Sequence, residues 1–308
     1  MSTSLFDTVI VGAGGAGLTA AIYTARANLS TLVLEKLMPG GQIASTEGVE
    51  NYPGFPEGIM GADIAQRMEA QAVKYGVQIN YEDVKNILPR EKFFLIETSE
   101  NRYQAKAVIL AMGASFRMLG VPGEKEFIGR GVSYCATCDG AFFKEKNVMV
   151  VGGGDSALQE GIFLTKFASQ VSIVHRRDQL RGSPILQERA KKNPKIRFIW
   201  DTVIDKIQGN SKVESVLLRN VKTQETRTMP ADGVFVFIGH APNSGIVKGL
   251  VEMDEEGYVI SGGGYRTSVP GIFAAGEIRK GSVHQLVAAA GEGCGAALAL
   301  QAYLENQE

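Results

Sequence analysis

Near its start the chain carries a Gly-x-Gly-x-x-Gly turn directly behind an apolar run, and a turn of the same design recurs at its centre. Thr8-Val-Ile-Val11 is the continuous apolar run of a strand buried on both faces of a parallel sheet. Gly12-Ala-Gly14-Gly-Ala-Gly17 follows, then a predicted helix from Leu18 to about Ala27, then the strand Thr31–Leu34 closing on Glu35. Strand, glycine turn, helix, strand and terminal acid form the βαβ unit that holds a dinucleotide. Asn147–Val151, Gly152-Gly-Gly154-Asp155-Ser156-Ala157, a helix from Leu158 to Phe167 and the strand Gln170–Val174 repeat it, with Ala at the last turn position. Two copies predict an α/β fold with two Rossmann-like dinucleotide-binding domains, and so two dinucleotides.

The residues that end the second strands tell the two sites apart. In the first, Gly12 permits the tight turn, Gly14 lets backbone approach a pyrophosphate, and Gly17 lets helix pack on strand. Glu35 offers a carboxylate to ribose hydroxyls and repels a 2′-phosphate, so FAD or NAD fits and NADP does not. With a second nucleotide site downstream, FAD is the better assignment. The second strand of the other copy ends in His175-Arg176-Arg177, with Arg181 shortly after. Guanidinium forks bind phosphate in bidentate fashion, which selects NADPH over NADH. A solvated charge run is the alternative, and the position behind a glycine turn argues against it.

Chemistry beyond binding rests on Cys135-Ala-Thr-Cys138-Asp139. With three cysteines in all, no disulfide framework is available. Cys135 and Cys138 can close and reopen a small disulfide beside a nucleotide site. The other reading is half a zinc site, but Cys294, His175, His240 and His284 offer no second close pair, so no metal is expected. Asp139 is either an acid–base relay or an N-cap for Gly140-Ala-Phe-Phe143, and its place in the sequence leaves both open. Cys294 is expected as a small buried residue of a closing helix from about Leu286 to Leu304. His240 and His284 have no motif partner and default to structural or surface positions.

The totals exclude other classes. At 308 residues two domains are expected. A net charge of −1, from 32 basic and 33 acidic groups, points to neither nucleic acid nor an anionic membrane. No apolar run reaches membrane-spanning length, and the first residues lack the basic region of a signal peptide, so a cytoplasmic protein is expected. Further strands are predicted over Lys92–Thr98, Arg102–Leu110 and Val234–Ile238, with a helical face at Ile64, Met68, Ala72 and Tyr75.

In order along the chain, Gly12–Gly17, Pro39-Gly-Gly-Gln42, Glu50-Asn51-Tyr-Pro-Gly54, Cys135–Asp139, Gly152–Ala157, His175–Arg177 with Arg181, and Gly271-Ile-Phe-Ala-Ala-Gly276 resemble the bacterial-type, low-molecular-weight thioredoxin reductases. The resemblance covers essentially the whole chain. It implies an FAD domain built from both chain ends (1–116 and 242–308), with an NADPH domain carrying the dithiol (117–241) inserted between them. It further implies a homodimer whose protein substrate is thioredoxin. Hydride would pass from NADPH to flavin, then to the Cys135–Cys138 disulfide, then to the disulfide of thioredoxin. Cys135 would attack thioredoxin, Cys138 face the flavin and Asp139 handle protons, with domain rotation about linkers near Gly120 and Gly239. Flavin contacts would fall on Gln42, Asn51, Glu277, His284, Gln285 and Leu286, and NADPH contacts on Asp155 and Ser156 besides the turn and the cationic cluster. Two positions depart from the family pattern: Glu277 replaces an Asp, and His284-Gln285-Leu286 replaces Arg-Gln-Ala. FAD is expected to bind all the same. Rival readings are a ferredoxin or NADH donor, a small-dithiol acceptor, and a flavin redox sensor without turnover. The arginine cluster speaks against the first and the intact cysteine pair against the last.

Overall fold

The computed structural model describes residues 5–45, 49 and 51–307, apart from the side chains of Ser45, Thr137 and Cys138. Glu50 and the Cys138 side chain, both named above, therefore lie outside the described residues. The chain divides into two compact units, residues 1–115 with 241–308 and residues 116–240.

The first unit opens with β1 (Leu5–Val11), α1 (Gly15–Arg26), β2 (Thr31–Glu35), α2 (Gly61–Lys74), β3 (Gln78–Tyr81), β4 (Val84–Pro89), β5 (Phe94–Thr98) and β6 (Arg102–Leu110). Its sheet has the order β3-β2-β1-β6-β5-β4, with β1 parallel to both β2 and β6. Val9, Ile10, Leu32, Val33, Val108 and Ile109 are fully buried, as a central parallel sheet covered on both faces requires. The helix α1 begins three residues ahead of the predicted Leu18, at Gly15. Glycine and alanine form its first turn, which propensity disfavours and close packing repays. Asn28, at φ +61°, turns the chain out of the helix.

The second unit follows β7 (Ala114–Phe116) with β8 (Val132–Ser133), α3 (Ala136–Asp139), β9 (Asn147–Val151), α4 (Asp155–Leu164), β10 (Gln170–Val174), α5 (Pro184–Lys192), β11 (Ile196–Ile199), β12 (Thr202–Gly209), β13 (Val213–Asn220), β14 (Thr226–Pro230) and β15 (Gly233–Val236). A parallel sheet of order β11-β10-β9-β15-β8 is its centre. Val148, Val150, Ile173 and Phe235 pack on one face with Leu158 of α4. Met149, Val151, Val174 and Val234 pack on the other face with Ile204, Val216 and Leu218 of the antiparallel sheet β12-β13-β14.

The chain returns through β16 (His240–Pro242), then β17 (Ile272–Ala274) and α6 (Leu286–Glu305). The β17 strand joins the first unit's sheet in parallel register with β6, Ile272 opposite Val108 and Ala274 opposite Leu110. The α6 helix packs along α1. A Cβ on Gly293 would overlap Ala16 O, and one on Gly15 would overlap Leu286 Cδ1, so the small residues set how close the two helices come. Among the described residues no helix is long and apolar enough to cross a membrane.

Candidate functional site

The first glycine turn combines tight packing with open space. Gly12 sits at φ +101°, where a Cβ would overlap Ala111 O, and a Cβ on Gly17 would overlap Gly12 O. Gly14 differs: nothing lies within 4 Å of the place a Cβ would take. It is the N-cap of α1, and no side chain caps that helix, leaving the first-turn N–H groups for a ligand. Glu35 accepts the N–H of Ala13 at 2.7 Å and of Leu37 at 3.0 Å, so its carboxylate is fixed beside the turn with lone pairs to spare. Gly40, at φ +103°, donates its N–H to Ala13 O at 2.7 Å and brings the Pro39–Gln42 loop onto the same turn. Room, donors and an acid at the strand end fit a dinucleotide carrying free ribose hydroxyls.

The residues expected as flavin contacts come together in the same unit. Gln42 Nε2 donates to Ala114 O at 2.8 Å and to Glu277 Oε2 at 3.1 Å. His284 Nδ1 lies 3.8 Å from the same carboxylate oxygen. Asn51 Nδ2 donates to Gln285 Oε1 at 2.7 Å, and Leu286 starts α6 against Gly15. Burial pushes the Glu277 carboxyl above the usual carboxylate range, against the pull of His284 and Gln42. The loop is pinned from behind by a pair that no motif marks. Glu292 of α6 accepts the Gly276 N–H at 2.7 Å and pairs with Arg279 at 2.9 Å, both side chains being largely buried.

The second turn repeats the design with a different rim. Gly152, at φ +146°, faces Phe237 O, while Gly154 has open space and caps α4 without any side-chain bond. Asp155 Oδ1 accepts the Ser183 N–H at 2.6 Å and Arg181 N–H donates to Gly153 O at 2.7 Å. These bonds fold Arg181 back over the turn, while Ser156 lies exposed on the first turn of α4 and Ala157 is fully buried. His175 is buried, its ring packed under Gly153, and Nε2 has no partner among the described residues. Burial, reinforced by Arg181, Arg177 and Arg176, holds its pKa below the ordinary histidine value. A neutral ring beneath the turn is thus separated from the exposed guanidiniums. Arg176, Arg177 and Arg181 line an open cavity of about 300 Å³. Among the described residues none of the three is in an ion pair, a donor set that fits a phosphate dianion.

Cys135 precedes the single turn α3. Its N–H donates to Ser133 Oγ at 3.1 Å, and its carbonyl accepts the Asp139 N–H at 3.2 Å. Cys135 is disulfide-bonded. Asp139 occupies the N-cap position of Gly140–Phe143, but its side chain makes no capping hydrogen bond. Just upstream, the Tyr134 hydroxyl donates to Glu124 at 2.7 Å, a fully buried carboxylate that also takes the Leu119 and Gly120 N–H groups. Burial and then Glu124 push the Tyr134 phenol well above its usual range. Cys294 is a free thiol, half-buried where α6 meets Tyr23 of α1, in contrast to the buried position expected. Gly293, its neighbour, takes the tight contact with α1 instead. Among the described residues no group of His, Cys, Asp and Glu is arranged for a metal.

The family model described as pyridine nucleotide-disulphide oxidoreductase matches residues 6–293. The thioredoxin reductase of Bacillus subtilis (strain 168) is 50% identical over 303 residues, covering 98% of this chain and 96% of that protein. That of Treponema pallidum (strain Nichols) is 48% identical over 301 residues, with 98% of each covered. The crystal structure of Lactococcus lactis thioredoxin reductase in its FR conformation superposes with a TM-score of 0.93 at 43% identity, over 98% of this chain and 99% of that one.

Proposed function

The chain belongs to the pyridine nucleotide-disulphide oxidoreductase family, and on that premise we propose that it is an NADPH-dependent thioredoxin reductase. The carrying observation is a pair of glycine turns of one design whose strands end in opposite charge, Glu35 in one unit and the arginine cluster in the other. The chain's close cysteine pair lies in the arginine-bearing unit, residues 116–240. FAD, when bound, supplies the two-electron relay between reduced nicotinamide and a disulfide.

The protein's own groups divide the remaining work. The uncapped starts of α1 and α4 bind pyrophosphates, at Gly12, Gly14 and Gly17 in one unit and at Gly152, Gly154, Asp155, Ser156 and Ala157 in the other. Glu35 would take ribose hydroxyls, and Arg176, Arg177 and Arg181 would take the 2′-phosphate, with the His175 ring packed under the glycine turn at Gly153. Gln42, Asn51, Glu277, His284, Gln285 and Leu286 would contact FAD, with Glu277 at the flavin's ribityl chain. Reduced Cys135 attacks one sulfur of the thioredoxin disulfide as thiolate, releasing a thiolate and forming a mixed disulfide. Cys138 then attacks Cys135 sulfur, which frees the second thioredoxin thiolate and closes Cys135–Cys138. Asp139 carries protons for these thiolates. The reading includes a homodimer acting in the cytoplasm.

The test is NADPH oxidation with thioredoxin as acceptor, scored against NADH and against a small disulfide. Cys135→Ser is expected to abolish thioredoxin reduction while NADPH still bleaches the flavin; unchanged turnover would refute the proposal.

A further inference from the structure

The cavity beside the arginine cluster has a second wall, supplied by the hairpin between β13 and β14. Asn220 Oδ1 accepts the N–H groups of Lys222 and Thr223, at 2.9 and 3.0 Å, and Val221 N–H donates to Asp201 O at 2.6 Å. These bonds fix Lys222 at the cavity edge. Its ammonium lies 3.0 Å from Asp178 and 3.0 Å from Asp201, and both carboxylates line the same cavity as Arg176, Arg177 and Arg181.

Two carboxylates in the wall of an anion site oppose its purpose, since each repels a dianion that the guanidiniums attract. Neither is misplaced. Asp201 holds φ +51°, and its N–H and carbonyl both serve the backbone of this corner. Lys222 bridges the pair and raises the net formal charge of the cavity wall from +1 to +2. The same contact holds the Asp178 carboxyl below its ordinary range and the Lys222 ammonium above its own.

We propose that Lys222 is a specificity-determining residue for the nucleotide's phosphate: by pairing with Asp178 and Asp201 it withdraws their charge from the cavity, and so lets the arginine cluster accept a phosphomonoester dianion. This rests on reading the cavity as the site of the NADPH 2′-phosphate. Lys222 acts through the two aspartates, so it is a positioning residue and its removal is compensated by removing one of them.

Calorimetric titration of the flavin-loaded enzyme with adenosine 2′,5′-bisphosphate and with adenosine 5′-monophosphate tests it. Wild type is expected to favour the bisphosphate. Lys222→Met should weaken the bisphosphate about fivefold, the scale of an exposed ion pair, and leave the monophosphate unchanged. Lys222→Arg should retain wild-type affinity, and Asp201→Asn in the Lys222→Met background should restore most of it, asparagine tolerating the left-handed backbone there. Equal weakening of both nucleotides, or weakening of neither, would overturn the role of Lys222 while leaving the phosphate site standing. A wild type that does not distinguish the two nucleotides would overturn the site itself, and this inference with it.

Discussion

Glu82 and Glu277 are two carboxylates of the first unit drawn largely out of water, yet they are shifted in opposite directions: donors win over burial at Glu82, and burial wins over its partners at Glu277. Burial alone would raise Glu82, but donors on Thr98, Tyr103, Asn101 and Asn80 outweigh it and hold the group below its usual 4.5. Its stabilisation is therefore present above pH 4.5 and is lost as pH falls from there through the folded-state value. Glu277, raised by burial, behaves in the reverse sense: its contribution is fully present below 4.5 and is lost as pH rises through the folded-state value. Glu82→Gln should then cost about 1–3 kcal/mol at neutral pH and flatten the acid limb of the stability curve. Glu277→Gln should remove the loss on the alkaline side and leave the acid limb intact. Urea titrations of both variants from pH 3 to pH 8 (about one unit apart) check this, and parallel curves for the two would contradict it.

The helix pair α1 and α6 shows why some elements could be read from residues and others could not. Each buried strand of the two glycine-turn units is a short apolar run, so β1, β2, β6, β9 and β10 stand out in the sequence. Helix starts were harder to place, because the glycines that open α1 read as breakers until α6 is seen against them. The sheet β12-β13-β14 carries no such signal, because its strands are half-exposed, with no long apolar run, and the β12–β13 pairing is interrupted by bulges. Lys222 has carboxylate partners that the fold brings from distant segments, while Glu124 and the Glu292–Arg279 pair find nearby partners at spacings that belong to no motif. Packing of α6 makes a contrast that experiment can measure. Gly293→Val forces a side chain into Ala16 O, and is expected to cost on the order of 3 kcal/mol and lower flavin content. Gly291→Ala meets nothing within 4 Å and should gain up to about 1 kcal/mol from helix propensity. Thermal melts and the flavin-to-protein absorbance ratio separate the two; similar losses in both would remove close packing as the explanation.

The whole chain is one continuous unit set within a discontinuous one, each with its own buried clusters. Residues 116–240 contain both faces of their sheet and are of ordinary domain size. Expressed alone, this segment is expected to melt cooperatively and to bind adenosine 2′,5′-bisphosphate but no flavin; an unfolded product, or one that takes up flavin, would contradict that. The other unit has no such independence. Along one edge of β6, β5 covers Arg102–Ala105, and Val108–Leu110 waits for β17, which is encoded after the entire insert. A nascent chain leaving the ribosome thus exposes half of that edge throughout the synthesis of residues 116–240, while the insert is free to fold as it emerges. A premature stop between Ala241 and Ile272 would release a product with a finished insert and an open, sticky sheet, a substrate for chaperones and proteases. Completion of this enzyme is a C-terminal event.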